Sequence, residues 1–205
     1  MHLLLRSLLT AAAAGLLSLP ALAQAPMAMP GDVPRIKIIR NHRPGHFQLA
    51  DGRWQAGELY YDGGEWVSVR QPGVDGRREY LPQDLRRFVI KADTFGVVDG
   101  YGPADRQGST GVFGQELYRT PFHTLFSYRE SEGSMAVTLV QPVGGAAVSV
   151  PQGRKSFTTV MLRVFGDCPA LAEDIRRGKL GPQHLKRIMA TYAQWRRTGG
   201  AADKS

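Results

Sequence analysis

Residues 57–90 limit the possible folds of this chain more than any other part of the sequence. They contain G-E-L-Y-Y-D-G-G-E-W-V-S-V-R in the first half and R-R-E-Y-L-P-Q-D-L-R-R-F-V-I in the second. Two apolar runs, at 55–61 and 66–70, flank the turn signal Asp62-Gly63-Gly64, and a third apolar segment begins near Tyr80. Apolar runs on either side of such a turn are typical of a hairpin, so this stretch predicts consecutive antiparallel strands.

Period-two alternation divides the side chains of the second of these strands between two faces. Val67 and Val69 share one face, whereas Trp66, Ser68 and Arg70 share the other. We expect the two valines to face the core.

The first 23 residues predict a cleaved secretory signal peptide. Arg6 precedes an apolar run at 8–19, and the small-residue site Ala21-Leu22-Ala23 follows it. The apolar run is too short for a transmembrane helix. We therefore expect an exported protein, periplasmic or extracellular, that begins at Gln24 and has no transmembrane segment in its mature chain.

The remaining residues are expected to form a single β-rich domain at 35–198. A flexible N-terminus at 24–34, rich in Ala, Pro and Met, precedes it, and a disordered tail at 199–205 follows. Cys168 is the only cysteine, so no intrachain disulfide can form and the hydrophobic core must stabilise the domain.

Patterning along the domain predicts many short strands and then helices. Strands are expected at 35–39, 47–49, 88–90, 94–98, 113–118, 122–129, 135–140 and 147–150, with a break at 41–45, one helical turn at 82–87 and a surface loop at 99–111. After Pro151 the apolar spacing changes to three and four residues, which predicts helices at 157–165, 168–177 and 182–197, with Asp167 capping the second. The predicted fold class is α+β, an antiparallel sheet or partly open β-barrel followed by about three C-terminal α-helices.

The order of these segments also resembles a known group of proteins. The segments are G-E-L-Y-Y, E-Y-L-P-Q-D-L-R-R-F-V-I, V-F-G-Q-E-L-Y-R-T-P-F-H-T-L-F-S-Y, D-C-P-A-L-A-E-D-I and L-K-R-I-M-A-T-Y, within residues 57–192. Together they resemble uncharacterised secreted proteins of the Bacteroidota, although Ala193 departs from the Asn that often follows the last tyrosine in that group. The resemblance implies an extracytoplasmic β-rich domain with C-terminal helices, and it implies no activity.

Cys168 and His184 are the first candidates for chemistry. A cysteine just after a helix cap can act as a nucleophile with a lowered pKa, and His184 is a conceivable base. Pro169 and the surrounding apolar positions favour a buried, inert cysteine instead.

The other histidines and the acidic residues are weaker candidates. His42 and His46 have the spacing of two metal ligands on a helix, but Pro44-Gly45 between them excludes a helix. His123 lies in a predicted strand and is expected to be half-exposed. Glu58, Glu65 and Glu79 are able to converge as an acid/base pair on adjacent strands, although cross-strand ion pairs are the simpler explanation, with the cations Arg70, Arg77 and Arg78.

Five aromatic residues are concentrated around the central hairpin: Trp54, Tyr60, Tyr61, Trp66 and Tyr80. If several lie opposite Val67 and Val69, they form a platform for a sugar or a protein, with Arg70 at its edge. If the C-terminal helices cover them, they belong to the core, and this is the interpretation that amphipathic helices favour. The candidate ligand-binding residues are Trp54, Tyr60, Trp66 and Arg70.

The sequence assigns no catalytic, cofactor-binding or metal-binding residue and indicates no cofactor. With 26 Lys and Arg residues against 18 Asp and Glu, the formal net charge is +8, which favours polyanions or reflects only a solvated surface. The predicted function is a non-catalytic extracytoplasmic module, binding or structural. The alternatives are a hydrolase-type enzyme with a dispersed carboxylate and histidine site, and a binder of envelope polyanions. Its expected partners are an anionic envelope polymer, a glycan or another envelope protein, and no specific nucleic acid.

Overall fold

The computed structural model of the protein describes residues 41–102 and 111–200. All of these residues belong to one compact unit. The predicted signal peptide, the predicted flexible N-terminus, the strand expected at 35–39, most of the loop expected at 99–111 and the tail from residue 201 lie outside the described residues.

Within the described residues, ten strands form one antiparallel sheet. They are β1 (Arg43–Leu49), β2 (Trp54–Tyr60), β3 (Val67–Arg70), β4 (Arg78–Tyr80), β5 (Leu85–Ile90), β6 (Asp93–Val98), β7 (Val112–Arg119), β8 (His123–Tyr128), β9 (Val137–Pro142) and β10 (Val148–Ser149). Their order in the sheet is β10-β9-β8-β7-β6-β5-β1-β2-β3-β4. The chain meanders from strand to strand except once, where β5 returns past the β2–β3–β4 group to pair with β1.

Three α-helices follow the sheet: α1 (Arg154–Phe165), α2 (Pro169–Arg176) and α3 (Leu185–Arg197). A 3-10 turn at Pro182–His184 leads into α3. An open antiparallel sheet followed by three C-terminal helices confirms the predicted α+β class. In the part of the chain that the structure describes, no helix has the length and apolar character needed to cross a membrane.

The helices pack on one end of the sheet. The apolar side of α1 buries Phe157 and Phe165, and Ile188 is a fully buried residue of α3. They share a cluster with Leu125 of β8 and Val140 of β9. Because an amphipathic helix of this length is marginal alone in water, this contact with β8 and β9 is what stabilises the helices.

A second cluster fills the concave side of the other end of the sheet. It is built from strands alone: Phe47, Leu59, Val67, Val69, Leu85, Phe88 and Phe113. The predicted orientation of Val67 and Val69 is confirmed, since their exposed fractions are 0% and 2%. The C-terminal helices therefore do not cover this half of the sheet.

Tyr61, just after β2, joins this cluster to β7. Its hydroxyl donates to the backbone oxygen of Phe113 at 2.6 Å, and its ring meets Phe88 and Phe95 edge-on at 5.2 and 5.0 Å. The next connection reaches the same region, because the backbone N of Phe113 donates to the oxygen of Gly64 at 3.3 Å. Since β1, β5 and β6 separate β2 from β7 in the sheet, the sheet must curl strongly on itself.

The break predicted at 41–45 is wrong, because β1 runs through Pro44 and Gly45. Pro44 pairs only with β2, and the ladder to β5 begins at Gly45, so the missing N–H of Pro44 interrupts no bond to β5. A Cβ on Gly45 would collide with the backbone oxygen of Val89. In this case glycine marks a close approach between strands, not a loop.

The helical turn predicted at 82–87 is also wrong in its extent. The backbone N atoms of Asp84 and Leu85 both donate to the oxygen of Leu81, which makes a single turn. Strand β5 then begins at Leu85, which is buried together with Phe88. Leu81, Leu85 and Phe88 are four and three residues apart, which is the spacing that predicted a helical turn. Leu81 is 40% exposed, however, and Leu85 sits at a register shift opposite Leu49, so this spacing does not mark one buried helix face.

Removal of the Tyr61 hydroxyl tests its role in holding the curled sheet. Tyr61→Phe keeps the ring contacts but leaves the Phe113 carbonyl without this donor, so we expect a loss of about 1 to 2 kcal/mol in the free energy of unfolding. Tyr80→Phe is the matched control, since Tyr80 contacts Phe47 through its ring and its hydroxyl makes no hydrogen bond within the described residues. Urea unfolding followed by tryptophan fluorescence measures both, and equal stability of the two variants would contradict the role of this bond.

Candidate functional site

The face opposite Val67 and Val69 is open to solvent along β1 and β2 and at Arg70, whereas Ser68 on the same face of β3 is fully buried. Trp54, Ala56 and Glu58 alternate along β2 and are all exposed, and the Trp54 side chain is 49% exposed. Arg70 on β3 pairs in register with Glu58 and is exposed as well. We call the exposed surface formed by Trp54, Ala56, Glu58 and Arg70 the open face. The hydrophobic cluster that contains the helix residues includes none of these four.

The four predicted ligand-binding residues lie along this face but do not form one contact. Trp54 and Tyr60 are six residues apart on β2, which corresponds to about 20 Å. Tyr60 and Trp66 are half-buried, with ring centroids 6.4 Å apart, and the hydroxyl of Tyr60 donates to Asp62 at 3.0 Å. The structure therefore places an exposed tryptophan at one end, an aromatic pair at the other, and Arg70 between them.

The other two aromatic residues of the hairpin belong to the core. Tyr61 joins the aromatic cluster already described, and Tyr80 packs on Phe47 with centroids 5.5 Å apart. The core prediction thus holds for Tyr61 and Tyr80, but neighbouring strands cover them, not the C-terminal helices. It fails for Trp54, because period two sends that side chain to the opposite face.

A cleft of about 710 Å³ adjoins the open face beneath the β3–β4 connection. Charged groups and an amide line it, among them Glu58, Arg70, Gln71, Asp75 and Arg77. Gln71 fixes the start of the connection by donating to Gln55 at 2.7 Å. The volume lies within the usual range of small-ligand sites, and the lining offers both donors and acceptors.

Glu58 and Glu79 do not form the acid pair that the sequence left as an alternative to cross-strand ion pairs. Glu58 pairs with Arg70 and Glu79 pairs with Ser68, so β3 separates the two carboxylates by about two strand spacings, or about 10 Å. The register confirms that Glu58 faces Arg70. Within the described residues, however, these two side chains form no ion pair, so the predicted salt bridge is absent and both groups keep their hydrogen-bonding capacity.

The two N-terminal histidines are too far apart to share a metal ion. Four residues on an extended strand span about 13 Å. His46 is exposed on β1, whereas His42 approaches Ser68, with 3.2 Å between Nε2 and Oγ. Within residues 41–102 and 111–200, no three His, Cys, Asp or Glu side chains gather as a metal site would require.

His123 is the residue that sequence reasoning misjudged most. It is 5% exposed and not half-exposed, and its ring lies 4.9 Å from that of Phe165 and 5.1 Å from that of Tyr192. Burial disfavours the charged imidazole and lowers the pKa of His123 from 6.5 to about 4; nearby Asp167 opposes this shift and Arg196 adds to it. Its Nδ1 is buried without a hydrogen-bond partner among the described residues.

Asp167 binds Tyr192, one of the two aromatic residues around His123, and does not cap α2 as predicted. Its carboxylate accepts a hydrogen bond from the Tyr192 hydroxyl at 2.8 Å and lies 3.9 Å from Nη1 of Arg196. Burial and this bond raise the pKa of Tyr192 to about 12. Cys168 occupies the cap position without a side-chain bond. The sequence signal for this group is the four-residue spacing of Tyr192 and Arg196, which puts both on one side of α3.

The structure confirms that Cys168 is buried, with 2% exposure. His184 is committed elsewhere, because its Nδ1 accepts from the backbone N of Gly181 at 3.0 Å. That bond closes the 3-10 turn before α3, so the proposed role of His184 as a base for Cys168 has no support in the contacts of the described residues.

Comparison of the chain with protein-family models, with curated protein sequences and with solved structures found no match. The resemblance to secreted proteins of the Bacteroidota therefore stays a prediction.

The buried His123 predicts a specific pH dependence of stability. Its pKa is about 4 in the folded protein and near 6.5 when unfolded, so the unfolded state binds more protons between these values. Stability from this group is complete above pH 6.5 and is lost as the pH falls towards 4, with a total on the order of 3 kcal/mol. We expect His123→Phe to flatten this part of the profile.

Urea unfolding of the wild type and of His123→Phe at a series of pH values measures this effect. His46→Gln is the control, because His46 is exposed and its replacement should leave the profile unchanged. A His123→Phe profile as steep as that of the wild type would show that other groups cause the dependence.

Proposed function

We propose that the protein is an exported, non-catalytic binding module and that its ligand is a glycan of the cell envelope, held on the open face. The observation that carries the proposal is the exposed Trp54 on the same sheet face as Glu58 and Arg70. Export rests on the signal peptide predicted from residues 1–23.

A glycan suits this surface because each sugar ring has an apolar C–H face and a rim of hydroxyl groups. An exposed indole offers a flat apolar surface to the C–H face of a sugar. Its large contact area comes at little conformational cost. Glu58 and Arg70, which form no ion pair with each other, offer a hydrogen-bond acceptor and a donor to the sugar hydroxyl groups.

The distances favour an oligosaccharide over a single sugar. Trp54 and Glu58 are four residues apart on β2, which corresponds to about 13 Å. The cleft beneath the β3–β4 connection continues from Glu58 and Arg70 and adds Gln71, Asp75 and Arg77 as further polar contacts. A chain of sugars that packs on Trp54 and extends to this cleft would use both.

The test is co-sedimentation of the purified protein with purified peptidoglycan, chitin and cellulose. We expect binding to at least one of these, and Trp54→Ala should weaken it by up to about tenfold, since an aromatic contact is worth about 0.5 to 1.5 kcal/mol. Met135→Ala is the matched control, because Met135 is a 90% exposed apolar residue outside the open face.

Two outcomes would contradict the proposal. One is the absence of binding to all three polymers, and the other is equal binding by the wild type and Trp54→Ala. Release of soluble sugars that Glu58→Gln abolishes would instead favour the hydrolase-type enzyme.

Arg70→Gln tests whether the cleft at Arg70 contributes to binding in addition to the surface of Trp54. Loss of the guanidinium removes hydrogen bonds at the cleft but leaves Trp54 in place, so we expect a moderate loss of affinity, about three- to tenfold. Arg129→Gln, on the exposed connection after β8, is the control for the change in charge. The measurement is the same co-sedimentation, and an unchanged affinity for Arg70→Gln would restrict the site to the region of Trp54.

A further inference from the structure

The positive charge of the protein is concentrated in the helices. Residues 154–200 contain ten Lys and Arg residues against three Asp and Glu, a formal charge of +7. The sheet region that the structure describes, residues 41–102 and 111–153, contains ten against twelve, a formal charge of −2. The two parts of the domain therefore differ in the sign of their charge, which composition alone conceals.

The three acidic residues of the helical region are already engaged. Glu173 pairs with Arg176 and Arg177, at 3.7 and 2.6 Å. Asp174 lies 3.4 Å from Lys179, and Asp167 lies near Arg196. Six further cations are exposed and form no ion pair with a described residue: Arg154, Lys155, Arg163, Lys186, Arg187 and Arg197.

These cations lie on the outer sides of the helices. Lys155 and Arg163 are eight residues apart on α1, about 12 Å, with exposed Thr159 between them. Arg187 and Arg197 are ten residues apart on α3, about 15 Å, and the exposed residues between them carry no acid. Charges spread over this distance suit a ligand that repeats its negative charge, because a small anion contacts only one of them.

The apolar sides of the same helices are not available to a partner. Phe157 and Met161 of α1 and Ile188 and Met189 of α3 are fully buried in the cluster they share with β8 and β9. An amphipathic helix that lies in a membrane inserts such a face between the lipids, and these helices have already buried theirs. This favours a hydrated polymer over a bilayer.

From this charge pattern we propose that the outer surface of α1 and α3 binds an anionic polysaccharide. The binding is electrostatic, with guanidinium and ammonium groups contacting successive carboxylates or phosphates, and it is therefore sensitive to salt. The surface is separate from the open face, so the protein would hold two different polymers at once. The inference does not depend on the glycan site of the open face.

The experiment titrates the purified protein with polygalacturonate, with neutral dextran as the reference polymer. One variant replaces four unpaired helix cations by glutamine: Lys155→Gln, Arg163→Gln, Arg187→Gln and Arg197→Gln. The matched control makes the same change in net charge on the sheet: Arg43→Gln, Arg78→Gln, Lys91→Gln and Arg129→Gln. Because all eight positions are exposed, both variants should stay folded, which thermal unfolding verifies.

We expect polygalacturonate to bind the wild type, dextran not to bind, and the affinity to fall as salt rises. The helix variant should lose roughly tenfold or more in affinity, and the sheet variant less than about threefold. Equal losses in the two variants would overturn the proposal, since net charge alone would then explain the binding. Absence of polygalacturonate binding would overturn it as well.

Vesicles of phosphatidylglycerol and phosphatidylcholine form the last arm. The proposal would be overturned in favour of a lipid surface if the protein bound these vesicles through the four helix cations and did not bind polygalacturonate. Vesicle binding much weaker than polymer binding supports the proposal.

Discussion

The placement of Tyr61 is the constraint on which the rest of the sheet depends. Its ring lies among Phe88, Phe95 and Phe113, and its hydroxyl satisfies the carbonyl of Phe113, which would otherwise lose a donor. Burial raises the pKa of Tyr61 above its ordinary value, so the hydroxyl stays protonated and keeps donating. This contact holds the end of β2 against β7, with three strands between them in the sheet, and so sets the curl of the sheet and the space available for its core.

The curl explains why the domain has separate cores and an uncovered face. Strands alone enclose the cluster around Phe47 and Phe88, so this half of the sheet needs no helix to bury it. The helices are left to pack on β8 and β9. The outer side of β1 and β2 then remains in contact with water, and Trp54 is 49% exposed there.

The same division separates the charges. The helices bury their apolar sides and present cations outwards, whereas the sheet region has a small excess of acids. Like charges on one surface repel each other and destabilise the compact state unless a counter-charge reduces the repulsion. An anionic partner at the helices would supply this counter-charge, and the open face would remain available to a second ligand.

Local patterns in the sequence determined the fold class, most of the strands and all three helices, because period two and the three- and four-residue spacing depend only on neighbouring residues. They also determined that Val67 and Val69 face inwards. Three outcomes depended on tertiary structure. Pro44 and Gly45 continue a strand because β5 approaches Gly45 too closely for a side chain. His123 is buried because α1 and α3 bring Phe165 and Tyr192 onto it. Trp54 is exposed because the sheet curls away from it and the helices pack elsewhere. In each case the deciding neighbour is distant in sequence, and a local pattern contains no information about which distant element will cover which face.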